Sequence, residues 1–141
     1  MKPPSIAGIV ESILYPTDLP RAVAFYRDVL GLEPMTGDPA RFQTFKVGPR
    51  QVLILFKQGA TLEPVPVQTG GVIPPHDGSG PHHLGFAVTA ESYEHWREHL
   101  TAHGIAIESE TKWTRGGHSL YFRDPDDHLI ELITPGIWPN Y

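Results

Sequence analysis

A chain of 141 residues is long enough to bury one ordinary core and too short for several independent ones. Its formal net charge of −5, with the basic residues scattered singly, excludes a nucleic-acid surface, which needs clustered Lys and Arg. The lack of cysteine excludes disulfides, thiolate metal sites and a Cys nucleophile, and no apolar run is long enough for a signal peptide or a bilayer span, so a cytoplasmic setting without membrane contact is expected.

In chain order, a short strand is expected over Val10–Tyr15, followed by Thr17-Asp18-Leu19-Pro20. Asp18 is a good N-cap, and Pro20 is tolerated in a first turn whose backbone N–H groups have no helical partners. Leu19, Ala22, Val23, Tyr26, Val29 and Leu30 recur at helical spacing until Gly31 supplies the stop. Two strands, Arg41–Val47 and Gln51–Phe56, flank the turn Gly48-Pro49-Arg50. Lys57–His82 is too rich in Pro and Gly for a helix or inner strand and too long for an ordinary connection, so it reads as a functional cover or a mobile linker, the cover being the expectation.

The pattern then repeats. His83–Val88 reads as a strand. Thr89 caps a helix with Tyr93, Trp96 and Leu100 on its apolar stripe and Gly104 at its end. Ile105–Glu108 reads as a strand, as do Ser119–Arg123 and His128–Ile133 around the turn Asp124-Pro125-Asp126-Asp127. Without a gap, Gln51–Gly59 lies over His128–Gly136. The expected organisation is a single domain over 1–141, with module one at about 8–60, a connection at about 61–81 and module two at about 82–136.

Asp18-Leu19-Pro20-Arg21-Ala22-Val23-Ala24-Phe25-Tyr26-Arg27-Asp28-Val29-Leu30-Gly31-Leu32 resembles the first-helix signature of the vicinal oxygen chelate superfamily, which includes glyoxalase I, extradiol dioxygenases and the fosfomycin and bleomycin resistance proteins. Ser119–Leu132 resembles its closing motif. The resemblance implies an α+β fold of two tandem βαβββ modules forming a curved, half-open barrel around a metal, usually in a homodimer. It further implies metal ligands at Glu11, where the family usually has His, at His83 and at Glu131. The fourth position, Glu in glyoxalase I, falls on Ile54, which cannot bind a metal.

Strand alternation gives a partial test of that ligand set. Glu131 shares a face with Leu129 and Ile133, and Glu11 with Ile13 and Tyr15. A carboxylate on such a face is costly to bury unpaired, and a cation accounts for it. His83 lies with Gly85 and Ala87, which leave room beside the imidazole. By contrast, His95, His99 and His103 form an i, i+4 stripe on a solvated helix flank, His82 points away from His83, and His128 reads as a turn residue.

Tyr121 and Ser119 share a strand face and are candidate substrate contacts, with His76 on the cover, Arg115 beside Gly116-Gly117, and Trp113 as a wall. One imidazole and two carboxylates neutralise one divalent ion (Mn, Fe, Ni, Co, Zn or Mg) and leave positions open for a substrate with oxygens on neighbouring atoms. The metal would then stabilise an enolate- or alkoxide-like oxygen, with Glu131 or Glu11 moving the proton. Glyoxalase-like lyase or isomerase chemistry, or related dioxygenase chemistry, is the expected function. A metal-free small-molecule binding protein of the bleomycin-resistance type is the alternative.

Overall fold

One order of elements, a strand, a helix and three further strands, is built twice. The computed structural model describes residues 1–141, which divide into a first unit, Met1–Ser79, and a second, Gly80–Tyr141. No helix is long and apolar enough to cross a membrane.

In the first unit, β1 (Glu11–Leu14) leads to α1 (Leu19–Ala24), then β2 (Glu33–Asp38), β3 (Phe42–Val47) and β4 (Gln51–Phe56). The sheet order is β1-β4-β3-β2, with β1 parallel to β4 and the other pairs antiparallel. The Asp18 carboxylate accepts from the Arg21 backbone N–H at 3.0 Å, so the expected cap is in place, with Pro20 in the first turn. Beyond Ala24 the helix widens into a π turn, Phe25–Val29, and Gly31 leaves it at φ +68°. Leu19, Ala22, Phe25 and Tyr26 are buried, as are Leu14, Phe45, Leu53 and Leu55 of the sheet. Strand β2 was not expected. Its Pro34 and Gly37 argue against a strand, yet it runs along the sheet edge with an irregular register between those two residues, where both are tolerated.

The Pro- and Gly-rich segment joins this first unit. It contains a two-residue hairpin, β5 (Val65–Pro66) with β6 (Val72–Ile73), and its ends are tied together. The His76 N–H donates to the Thr61 carbonyl at 3.0 Å, the Thr61 hydroxyl donates to the His76 carbonyl, and the Gly59 N–H donates to Asp77 at 3.2 Å. These ties make the segment a closed strap on the first unit.

In the second unit, β7 (His83–Ala87) precedes a short 3₁₀ turn, Ala90–Ser92, and α2 (Tyr93–Ala102). Then come β8 (Ser109–Lys112), β9 (His118–Arg123) and β10 (Leu129–Ile133), in the order β7-β10-β9-β8. Thr89 caps as expected, its hydroxyl accepting from the Ser92 N–H at 3.2 Å. The strand expected over Ile105–Glu108 lies instead at Ser109–Lys112. Ile105 still closes the helix, its N–H donating to the Leu100 carbonyl at 2.9 Å after Gly104 turns at φ +70°, so the chain reaches the sheet later. Tyr93 and Leu100 of α2 are buried together with Leu120, Phe122, Ile130 and Leu132 of the sheet.

The two ladders share one register. Glu11 pairs with Val52 as His83 pairs with Leu129, and Ile54 pairs with Thr44 as Glu131 pairs with Tyr121. Strand pairing thus reproduces the gapless overlay read from the sequence and makes Glu11 the counterpart of His83, and Ile54 that of Glu131.

Candidate metal centre

The side chains of Leu129, Glu131 and Ile133 alternate with the core residues Ile130 and Leu132, so they stand on the open face of the second sheet. Glu131 is opposite Gly85 on β7, and His83 lies two residues away on the same face. Gly85 has no side chain to intervene; a Cβ there would meet Ile133 Cδ1 at 2.6 Å. The His83 imidazole consequently lies beside the carboxylate, with Nε2 3.1 Å from Glu131 Oε1.

The other donor and acceptor atoms are already engaged. His83 Nδ1 lies 3.0 Å from the Leu129 carbonyl, which can only accept, so Nδ1 carries a hydrogen. In the neutral ring, Nε2 then turns its lone pair towards a carboxylate oxygen that also carries one. Two acceptors facing each other at this distance call for a positive charge, either a further proton or a cation. An N–H donated to a backbone carbonyl is also the usual way of orienting a metal-binding histidine. The donor chemistry therefore fits a divalent ion.

Glu131 is 7% exposed and has a second support. Ser119, fully buried, donates its hydroxyl to Glu131 Oε2 at 2.5 Å and accepts from the Trp113 indole N–H at 2.9 Å. The sequence offered Ser119 and Trp113 as substrate contacts, and the structure brings both to the carboxylate, in a relay that fixes its orientation. Tyr121 stacks on His83, with ring centroids 6.4 Å apart. Around this pair lies a cleft of about 510 Å³, lined by His83, Trp113, Tyr121 and Glu131 and by Ile137 and Trp138. The last two were missed in the sequence. The sequence signals only a large aromatic residue, Trp138, beyond the last strand, and the structure leaves it 62% exposed.

Glu11 opens β1 in the first unit and is exposed. Neither unit on its own gathers three His, Asp or Glu side chains. Arg115 is exposed in the turn between β8 and β9 and does not line the cleft. His76 belongs to the first unit, where the Tyr15 hydroxyl and His76 Nδ1 share a 2.7 Å hydrogen bond. His128, expected in a turn, is buried; its Nδ1 accepts from the His82 N–H at 2.9 Å, and the two rings stack. In the α2 stripe, His103 Nδ1 donates to the His99 carbonyl.

On the helix side of the same sheet, the Tyr93 hydroxyl donates to Glu110 at 2.9 Å and Arg97 Nη2 donates to the same oxygen at 2.6 Å. Burial, followed by the hydrogen bond to Glu110, pushes the Tyr93 phenol up to about 12. Arg97 holds the Glu110 carboxyl below the usual range.

The chain as a whole is similar to several known proteins. The profile of the Glyoxalase/Bleomycin resistance protein/Dioxygenase superfamily matches residues 7–132. A solved lactoylglutathione lyase from Agrobacterium tumefaciens is 34% identical, covers 98% of this chain and 99% of its own, and superposes with a TM-score of 0.84. The fosfomycin resistance protein FosX of Listeria monocytogenes is 26% identical over 90% of this chain and 89% of its own. The metallothiol transferase FosB of Staphylococcus saprophyticus is 36% identical over 37% of this chain and 35% of its own.

Proposed function

Because the chain belongs to the Glyoxalase/Bleomycin resistance protein/Dioxygenase superfamily, we propose that it is a divalent-metal-dependent lyase or isomerase acting on a small substrate with oxygens on neighbouring atoms. The observation that carries this reading is the His83–Glu131 pair, two lone-pair donors 3.1 Å apart with their remaining atoms already oriented by Leu129 and Ser119. On the family pattern Glu11 is taken as the third ligand and a homodimer as the working particle. Similarity to a protein named as a lactoylglutathione lyase supports lyase chemistry, and similarity to the fosfomycin resistance protein FosX and the metallothiol transferase FosB supports fosfomycin and a thiol as trial substrates.

When bound, the ion supplies Lewis-acid stabilisation of negative charge on a substrate oxygen. The protein's own residues orient and exclude. Trp113 and Ser119 hold Glu131 in one rotamer, so its Oε1 is presented in a fixed direction. Tyr121 offers a phenol to a substrate oxygen from the ring stacked on His83. The apolar walls, Ile133, Ile137 and Trp138, remove water from the substrate's flank and strengthen each polar contact inside the cleft. Glu11 or Glu131 moves the proton.

Metal analysis of the purified protein tests the assignment. One divalent ion per chain is expected, and Glu131→Gln or His83→Ala should lower its retention by about 10–100-fold or more and abolish turnover. Turnover is to be sought with a glutathione hemithioacetal and with fosfomycin plus thiol or water, each under several metals. Unchanged metal content in Glu131→Gln removes that residue from the ligand set. Tight substrate binding without any metal requirement reverses the reading in favour of a sequestering protein.

A further inference from the structure

Helix α2 carries a pair of imidazoles that the His83–Glu131 cleft does not use. His99 and His103 are four residues apart, and the His103 N–H donates to the His99 carbonyl at 3.1 Å, so helical spacing holds to the end of the element. Side chains so spaced are neighbours on one helix face. Their ring centroids lie 4.2 Å apart, and Trp96 meets the His99 ring edge-on at 5.5 Å. His103 is exposed and His99 is half-buried. His103 Nδ1 donates to the His99 carbonyl at 2.9 Å, which leaves the lone pair of the neutral ring on Nε2. An imidazole anchored in this way through one nitrogen is oriented to offer the other to a metal. His99, whatever else it touches, needs only one of its two nitrogens for the same purpose.

We propose that His99 and His103 chelate a divalent transition-metal ion that favours imidazole, Cu²⁺, Ni²⁺ or Zn²⁺, across the last turn of α2. An imidazole nitrogen lies about 2.0–2.1 Å from such an ion, so two rings bound at a right angle have centroids about 4.5 Å apart. The observed 4.2 Å is within a small side-chain rotation of that spacing. The helix end adds a second attraction for a cation, because His103 is the C-cap of a ten-residue helix whose last carbonyls carry partial negative charge. No third His, Asp or Glu completes the set, so water fills the remaining positions and the ion is exchangeable, bound when supplied and lost on desalting. Tyr93 of α2 packs against His118, on the face of β9 opposite Ser119 and Glu131. The pair therefore takes its ion whether or not the cleft on the other face holds one.

Copper(II) titration of the untagged full-length chain carrying His83→Ala, followed by electron paramagnetic resonance, tests the pair with the other centre silenced. One Cu²⁺ per chain is expected, with two nitrogen donors in the spectrum and tighter binding than Ni²⁺ or Zn²⁺. In this background His103→Gln and His99→Gln should each weaken Cu²⁺ by about tenfold or more, since even the loss of a ligand's hydrogen-bond support costs roughly that much. His103 is exposed, so its substitution leaves the fold intact. His95→Gln, one turn earlier on the same stripe, should stay within about twofold, as a residue outside the chelate does. Zn²⁺ should raise the melting temperature of the His83→Ala chain, and His103→Gln should remove that increase. A spectrum with a single nitrogen donor, Cu²⁺ binding indifferent to His103→Gln, an equal loss in His95→Gln, or a Zn²⁺ melting shift that survives His103→Gln would each overturn the proposal.

Discussion

Ser119 illustrates how a residue can matter to a site without lining its cleft. Fully buried, it takes one hydrogen from Trp113 and gives its own to Glu131, so its removal leaves both a buried carboxylate oxygen and an indole N–H without partners. Ser119→Ala should therefore cost about 1–3 kcal/mol of stability, measurable by denaturant unfolding. It should also weaken divalent-ion binding by roughly 10–100-fold, as loss of a ligand's hydrogen-bond support usually does, with the ligand count unchanged. A variant that binds metal like the parent would show that Glu131 needs no help to hold its rotamer. The sequence pointed to Ser119 correctly by face, because alternation along β9 is rigid. Its partner was not legible there, since a hydroxyl's choice between substrate and carboxylate depends on distances that alternation does not encode.

Between elements, the tie from α2 to β8 is the clearest link with a pH signature. The neutral Tyr93 phenol donates to Glu110, and burial keeps it protonated to about 12 against an ordinary value of 10.0. Because the folded state holds this proton more tightly, the stabilisation is fully present below pH 10.0 and is lost as pH rises towards about 12. Thermal melts across that window should fall more steeply for the parent than for Tyr93→Phe, and parallel curves would place the loss elsewhere. Helix ends were legible at this scale, because Asp18, Thr89, Gly31 and Gly104 each do locally what their chemistry favours. Strands β2 and β8 were not. An edge strand with Pro and Gly draws its pairing from a neighbour, and Ile105 looks like a strand residue while serving as the helix's last hydrogen-bonded turn.

For the whole molecule, binding to the native state and not to the unfolded chain must raise stability by mass action. A divalent ion at a hundredfold excess over its Kd should add about 2.7 kcal/mol and raise the melting temperature by roughly 5–10 °C, an increase that a chelator reverses. Identical melts with ion and with chelator would leave the His83–Glu131 pair with a proton as its only cation. The duplicated architecture was visible in the sequence because its hydrophobic spacing and stops occur twice. The strap's docking on Tyr15 and Phe56 was not, since nothing in a Pro- and Gly-rich run states which face it will cover. The matching ladders have a consequence for substitution. With hydrogen bonding between backbones fixing each floor position, the side chain standing there can be exchanged without disturbing the architecture, so a carboxylate at Glu131 and an alkyl group at Ile54 occupy the same place on two like platforms.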